Sequence, residues 1–166
     1  MKNIFVILFF CSPSIFLACS CIGKSNIKIE IAKSNIILSG KILSKRIFSI
    51  KIEDVVEEFY PKKIEYAVLV TKIYKGSLLK DTLRIMTGLG NGDCGYNFLL
   101  NRTYIIYGVY AEKHFEGGQK VSQFVETDIC SRTRLYEFLE QKKILKYLRK
   151  TNCPAPVRIL SRERPK

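Results

Sequence analysis

The side chains of this chain that can do chemistry are few, and cysteine dominates them. Six cysteines occur, at positions 11, 19, 21, 94, 130 and 153. A zinc site needs close ligand pairs, typically Cys-x2-Cys repeated, and Cys19-Ser20-Cys21 with scattered single cysteines does not supply them. The lone histidine, His114, has no partner for acid–base work and sits beside Lys113, so it reads as a solvated surface residue. Glu53, Asp54, Glu57 and Glu58 cluster just before Lys62 and Lys63 and read as an exposed loop, not a catalytic carboxylate pair. Gly88-Leu-Gly-Asn-Gly92 lacks the Lys-Ser/Thr ending of a phosphate loop, and no helix follows it to present N–H groups to an anion. A turn that brings Cys94 to a partner explains those glycines better. Asn101-Arg-Thr103 is a glycosylation sequon, relevant only in a eukaryotic secretory host. Nothing here resembles an active site, no cofactor is implied, and binding is the expected mode of action.

The N-terminus bears on the use of the cysteines. Lys2, the apolar run Ile4 to Phe10, the breaker Cys11-Ser-Pro-Ser14 and the small Ala18 before Cys19 have the layout of an export signal over residues 1–18. The run is shorter than the roughly 20 residues of a membrane span. Leu17-Ala18-Cys19 also loosely matches a lipoprotein cleavage site, which would leave a lipid on Cys19, although Phe16 stands where an aliphatic residue is usual. Either way the expected location is secreted or periplasmic, where disulfides form and persist. Five cysteines then remain, and four of them pair in three ways that spacing alone leaves open. Cysteines one residue apart in an extended segment rarely bond to each other, so the simplest arrangement ties the N-terminus to two distant parts of the fold. Loops this long are worth about 4 kcal/mol each in the chain-entropy account. Cys153 is left without an assigned partner.

The 166 residues suggest one domain. Expected strands cover residues 36–43, with Gly40 at a bulge, then 64–74, 82–87, 103–110 and 122–129, with Gly117-Gly118 as a hairpin signal. The short run Ile27-Lys-Ile-Glu-Ile31 alternates. Residues 46–63 form the one long insertion, expected as a hairpin or loop. From Ser131, a reasonable N-cap, to Lys150 the period changes: Leu135, Phe138, Leu139, Leu145 and Leu148 recur at helical spacing with basic residues opposite. Residues 154–166 form a basic tail. Five short strands and one amphipathic helix predict a mainly β fold, a five-stranded OB-like barrel with a C-terminal helix. Tyr66, Tyr74, Tyr104 and Tyr107 fall at strand positions, where core packing is expected. Twenty-eight basic residues against fifteen acids give a net charge of +13, which favours anionic partners such as acidic polysaccharide or a membrane surface, or merely solvates the surface. Export and disulfides argue against nucleic acid.

Taken in order, Cys19-Ser-Cys21 after a signal, Ile73-Tyr-Lys-Gly76, Asp93-Cys-Gly-Tyr96, Tyr104-Ile-Ile-Tyr-Gly108 and Thr127-Asp-Ile-Cys-Ser131 resemble the N-terminal, netrin-like domain of the tissue inhibitors of metalloproteinases. The resemblance spans residues 19–153, one domain as in bacterial relatives, and the Ile, Lys and Asn richness leans the same way. It implies a five-stranded OB-type barrel, disulfides Cys19–Cys94 and Cys21–Cys130, and a zinc metalloprotease as partner. It also implies a mechanism in which the α-amine and carbonyl of Cys19 chelate the protease's zinc, Ser20 enters the specificity pocket, and Gly92-Asp93 lies against the cleft. Two departures stand out. Asp93 occupies a place usually held by small or apolar residues, and no cysteine between Cys21 and Ile64 can partner Cys153. The alternative is a non-inhibitory netrin-like binding module at the cell envelope.

Overall fold

The computed structural model describes residues 21, 26–49, 56, 61–78, 80–111, 115–116, 119–120 and 124–151. Its elements are α1 (Ile27–Lys33), β1 (Ile36–Ser49), β2 (Lys62–Lys75), β3 (Thr82–Thr87), β4 (Thr103–Ala111), β5 (Phe115–Glu116), β6 (Gln119–Lys120), β7 (Phe124–Glu126), β8 (Arg134–Leu135) and α2 (Phe138–Lys150). The main sheet runs β1-β2-β3-β7-β4-β8, and an additional β1–β4 pairing closes β1, β2, β3, β7 and β4 into a ring. All ring pairings are antiparallel except β3 with β7. This is the predicted five-stranded OB-type barrel, mainly β with a C-terminal helix.

The first part of β1, Ile36–Gly40, and β4 from Tyr104 to Gly108 are buried on both faces, which explains why these stretches read as nearly unbroken apolar runs. Ile36, Leu38, Tyr104 and Ile106 point into the barrel with Tyr66, Val68, Ile85 and Val125. Their neighbours Ile37, Ile105 and Tyr107 point outward into a second core, closed over by Ile31 of α1 and Ile144 and Leu148 of α2. All four tyrosines expected in the core are buried. Gly40 sits at a register shift between β1 and β2, and a Cβ there would lie 2.5 Å from a Val68 methyl and 2.9 Å from the Leu69 carbonyl. Its bulge lets β1 bend from one side of the barrel to the other.

Three local expectations need correction. The alternating segment 27–31 is helical: Asn26 Oδ1 accepts from Lys28 N at 2.9 Å and caps the helix, and Ile27 and Ile31, four apart, face the second core. The C-terminal helix begins at Phe138, not at Ser131. Residues 134–135 instead pair with β4, and the hydroxyl of Ser131 is taken up by a turn. The fifth strand ends at Glu126, short of the expected Ile129. β1 and β2 both extend into the 46–63 insertion, pairing as far as Ser49 with Lys62. β5 and β6 pair across Gly117-Gly118 as the hairpin signal suggested. His114, Cys11, Cys153, the acids at 53, 54, 57 and 58 and the tail 154–166 lie outside the described residues.

A candidate binding edge built on two cysteine loops

Cys21 is bonded to Cys130, with Cα atoms 5.0 Å apart across 109 residues of sequence. Cys94 is also disulfide-bonded. Of the other predicted site residues, Gly92, Asp93 and Cys94 stand together on the β3–β4 loop, while Cys19 and Ser20 lie outside the described residues.

The loop from Gly88 to Gly95 is folded around one carboxylate. Asp93 accepts from Leu89 N at 2.6 Å, Gly90 N at 2.7 Å and Gly95 N at 3.3 Å. Slight burial works against ionisation of the Asp93 carboxyl, but these backbone donors outweigh it and hold the group below the usual carboxylate range. The acid that departs from the family pattern is thus turned back onto its own loop. The tight ring this makes has a steric requirement, because a Cβ on Gly95 would lie 2.1 Å from the Gly88 carbonyl oxygen. Cys94 adopts a left-handed φ of 58°, a conformation that costs an L-residue about 1–2 kcal/mol. At the tip, Gly92 (φ 93°) has open space where a side chain would go.

The loop from Thr127 to Ser131 carries Cys130 and is held by a second set of contacts. Asp128 Oδ1 accepts from Ser131 N at 2.7 Å, and Ser131 Oγ donates to the Asp128 carbonyl at 2.8 Å. The Thr127 hydroxyl lies 2.9 Å from that of Ser131 and 2.8 Å from that of Thr133. It also donates to the Tyr107 carbonyl at 2.9 Å, while Thr133 Oγ1 accepts from Tyr107 N at 3.0 Å. The two loops are joined directly: Ile129 N donates to the Cys94 carbonyl at 3.0 Å.

Behind Cys130 stands a buried ionic group. Glu140 of α2 is 1% exposed, and Arg132 grips it with two nitrogens, Nε on Oε1 and a terminal nitrogen on Oε2 at 2.8 Å. The Tyr107 hydroxyl donates to Oε1 at 2.8 Å. Burial opposes the charge on Glu140, but the Arg132 and Tyr107 hydrogen bonds reverse that and hold its carboxyl below the usual range. Burial and the neighbouring carboxylate push the Tyr107 phenol well above its ordinary value. Tyr107 was expected only as a core residue, and neither Arg132 nor Glu140 was singled out from sequence. A Glu in register with Ile144 and Leu148, four and eight residues on, was the signal that could have found Glu140.

A cavity of about 340 Å³ opens between α1 and the two loops, bordered by Ser34, Gly88, Asp93, Cys94, Thr127 and Cys130. Among the described residues no group of three or more His, Cys, Asp or Glu side chains is placed to hold a metal.

The fold is a closed OB-type barrel with Cys21 cross-linked to the loop that carries Cys130. The model of the tissue inhibitor of metalloproteinase family matches residues 17–158, most of the chain, and the chain belongs to that family. Comparison with curated proteins returns no match. Proteins of this family are inhibitors, not enzymes, and are secreted. The chain is accordingly a metalloproteinase-inhibitor-like or netrin-like module, and its disulfide is consistent with an extracytoplasmic location.

Proposed function

We propose that the chain inhibits a zinc metallopeptidase through Cys19, once export has removed residues 1–18. The observation that carries this reading is the bond from Cys21 to Cys130 on a loop hydrogen-bonded to the Cys94 carbonyl. Residue 19 is then two positions from a fixed point, and pairing of Cys19 with Cys94 would fix it as well. A catalytic zinc keeps one position open for water or substrate. The α-amine and carbonyl oxygen of Cys19 would take that position and displace the water. An α-amine has an ordinary pKa of about 7.7–8.0, so a metal competing for its lone pair readily finds it unprotonated. With both cross-links in place, little freedom would be lost on docking. Ser20 would enter the pocket beside the zinc. Gly92, bare at its loop tip, would approach the cleft, while Asp93 keeps its charge on the amides behind it.

The test is a titration against a panel of zinc metallopeptidases, with N-terminal sequencing and intact mass of the purified protein. A free Cys19 amine is expected, and one alanine added before it should abolish inhibition at least 100-fold while the melting curve is unchanged. Undiminished inhibition by the extended variant would remove the chelation mechanism. A lipid on Cys19 would consume both amine and thiol, and would assign the module to non-inhibitory binding at the envelope.

A further inference from the structure

The outward arc of α2 carries a pattern that inhibition does not use. Phe138, Leu139, Lys142, Lys143, Lys146, Arg149 and Lys150 are all exposed, and at 100° per residue they fall within a 140° arc. The arc holds five cations and no acid. The helix's one acid, Glu140, is turned inward to Arg132. At the N-terminal end the cations give way to apolar side chains: Phe138 is 57% exposed and Leu139 67%, following the exposed Leu135 and Tyr136. Lys142 Nζ lies 4.6 Å from the Phe138 ring centroid, so charge and apolar surface meet within one patch. The nearest exposed acid on this segment, Glu137, is paired with Arg134.

From this we propose that the α2 arc is a docking surface for an anionic lipid bilayer, independent of the zinc-directed terminus. Charge complementarity selects an anionic partner, and the apolar end selects lipid among anionic partners. A sulfated or carboxylated polysaccharide offers nothing for Phe138 and Leu139 to enter, whereas the acyl boundary of a bilayer does. The helix lies along the surface with its five cations at headgroup level and its first turn dipping below. α2 is too short and too basic to cross; among the described residues no helix is long and apolar enough to do so. Each basic side chain near an anionic surface strengthens partitioning about five-fold.

The experiment is vesicle co-sedimentation at 0.1 M salt, using full chain whose mass shows no acyl group. The probes are phosphatidylcholine vesicles with and without 30 mol% phosphatidylglycerol. Binding is expected to the anionic vesicles alone, about 30-fold weaker for K142Q/K146Q and about 10-fold weaker for F138S/L139S. All four positions are exposed, so unchanged circular dichroism and melting are expected. K45Q/K62Q removes equal charge from the exposed β1–β2 hairpin and should weaken binding less than about three-fold. An equal fall in K45Q/K62Q would assign binding to net charge and overturn the proposal. Heparin binding that needs the same lysines, with vesicle binding indifferent to Phe138 and Leu139, would assign the arc to polysaccharide and overturn it too.

Discussion

Replacing Glu140 by alanine should be among the most damaging single changes in this protein, although Glu140 touches no proposed partner. In the folded state its carboxylate is almost fully buried and accepts from two Arg132 nitrogens and the Tyr107 hydroxyl. Removing it takes the carboxylate away from a guanidinium that is largely withdrawn from water and from a buried phenol that donates to it. Breaking a buried pair in this way costs about 3–5 kcal/mol. For a domain of this size that corresponds to a fall in Tm of roughly 10–18 °C. Urea unfolding followed by circular dichroism would measure it. The loss comes mainly from the desolvated polar groups left behind, not from a missing attraction. A triple variant with Tyr107→Phe, Arg132→Met and Glu140→Leu should therefore recover at least half of the loss. The pH dependence has a definite sign. The folded carboxyl titrates below its unfolded value of about 4.3, so its contribution is complete above that value and disappears as pH falls through the lower, folded one. The stability gap between the wild type and Glu140→Gln should narrow over that acid range. A Glu140→Ala cost under about 1 kcal/mol, or a triple variant no more stable than the single, would refute this account.

Two further outcomes follow from the loops. Cys21→Ser opens a cross-link spanning 109 residues and should cost about 4–5 kcal/mol in the chain-entropy account; inhibition should fall with it even at temperatures where circular dichroism shows the barrel intact, and full inhibition by that variant would argue against a fixed terminus. Asp93→Asn should speed hydrogen exchange at the amides of Leu89, Gly90 and Gly95 without altering exchange in β1 or β4. The same three amide resonances should shift in the wild type only as pH falls through the depressed Asp93 value, and their titration at or above the ordinary carboxylate pKa would contradict the loop geometry.

The strands of the barrel were legible because burial imposes a simple pattern. Runs such as Thr103–Tyr110 and Ile64–Tyr74 are apolar and β-branched, Gly40 marked its bulge, and the four tyrosines fell at core positions. Helix boundaries were less legible. The apolar period from Leu135 onward continues smoothly, but β4 has an open edge at Tyr104 and Ile105 that residues 134 and 135 complete, and ladder hydrogen bonds displaced the first turns of the expected helix. At 27–31, isoleucines spaced two apart fit a strand as well as a helix, and the Asn26 cap decided it.

By itself the sequence determined the chemical inventory: cysteines without zinc spacing, a single histidine, an excess of cations, and enough alternating apolar segments for one barrel. Those are properties of residue type and period, which the chain carries before it folds. Proximity is different, because it depends on where distant segments end up. Only the tertiary structure decided that Cys21 meets Cys130, a pairing that spacing left open, that Asp93 turns its charge onto three amides of its own loop, and that Glu140 turns inward to Arg132 and leaves the outward arc of α2 without an acid.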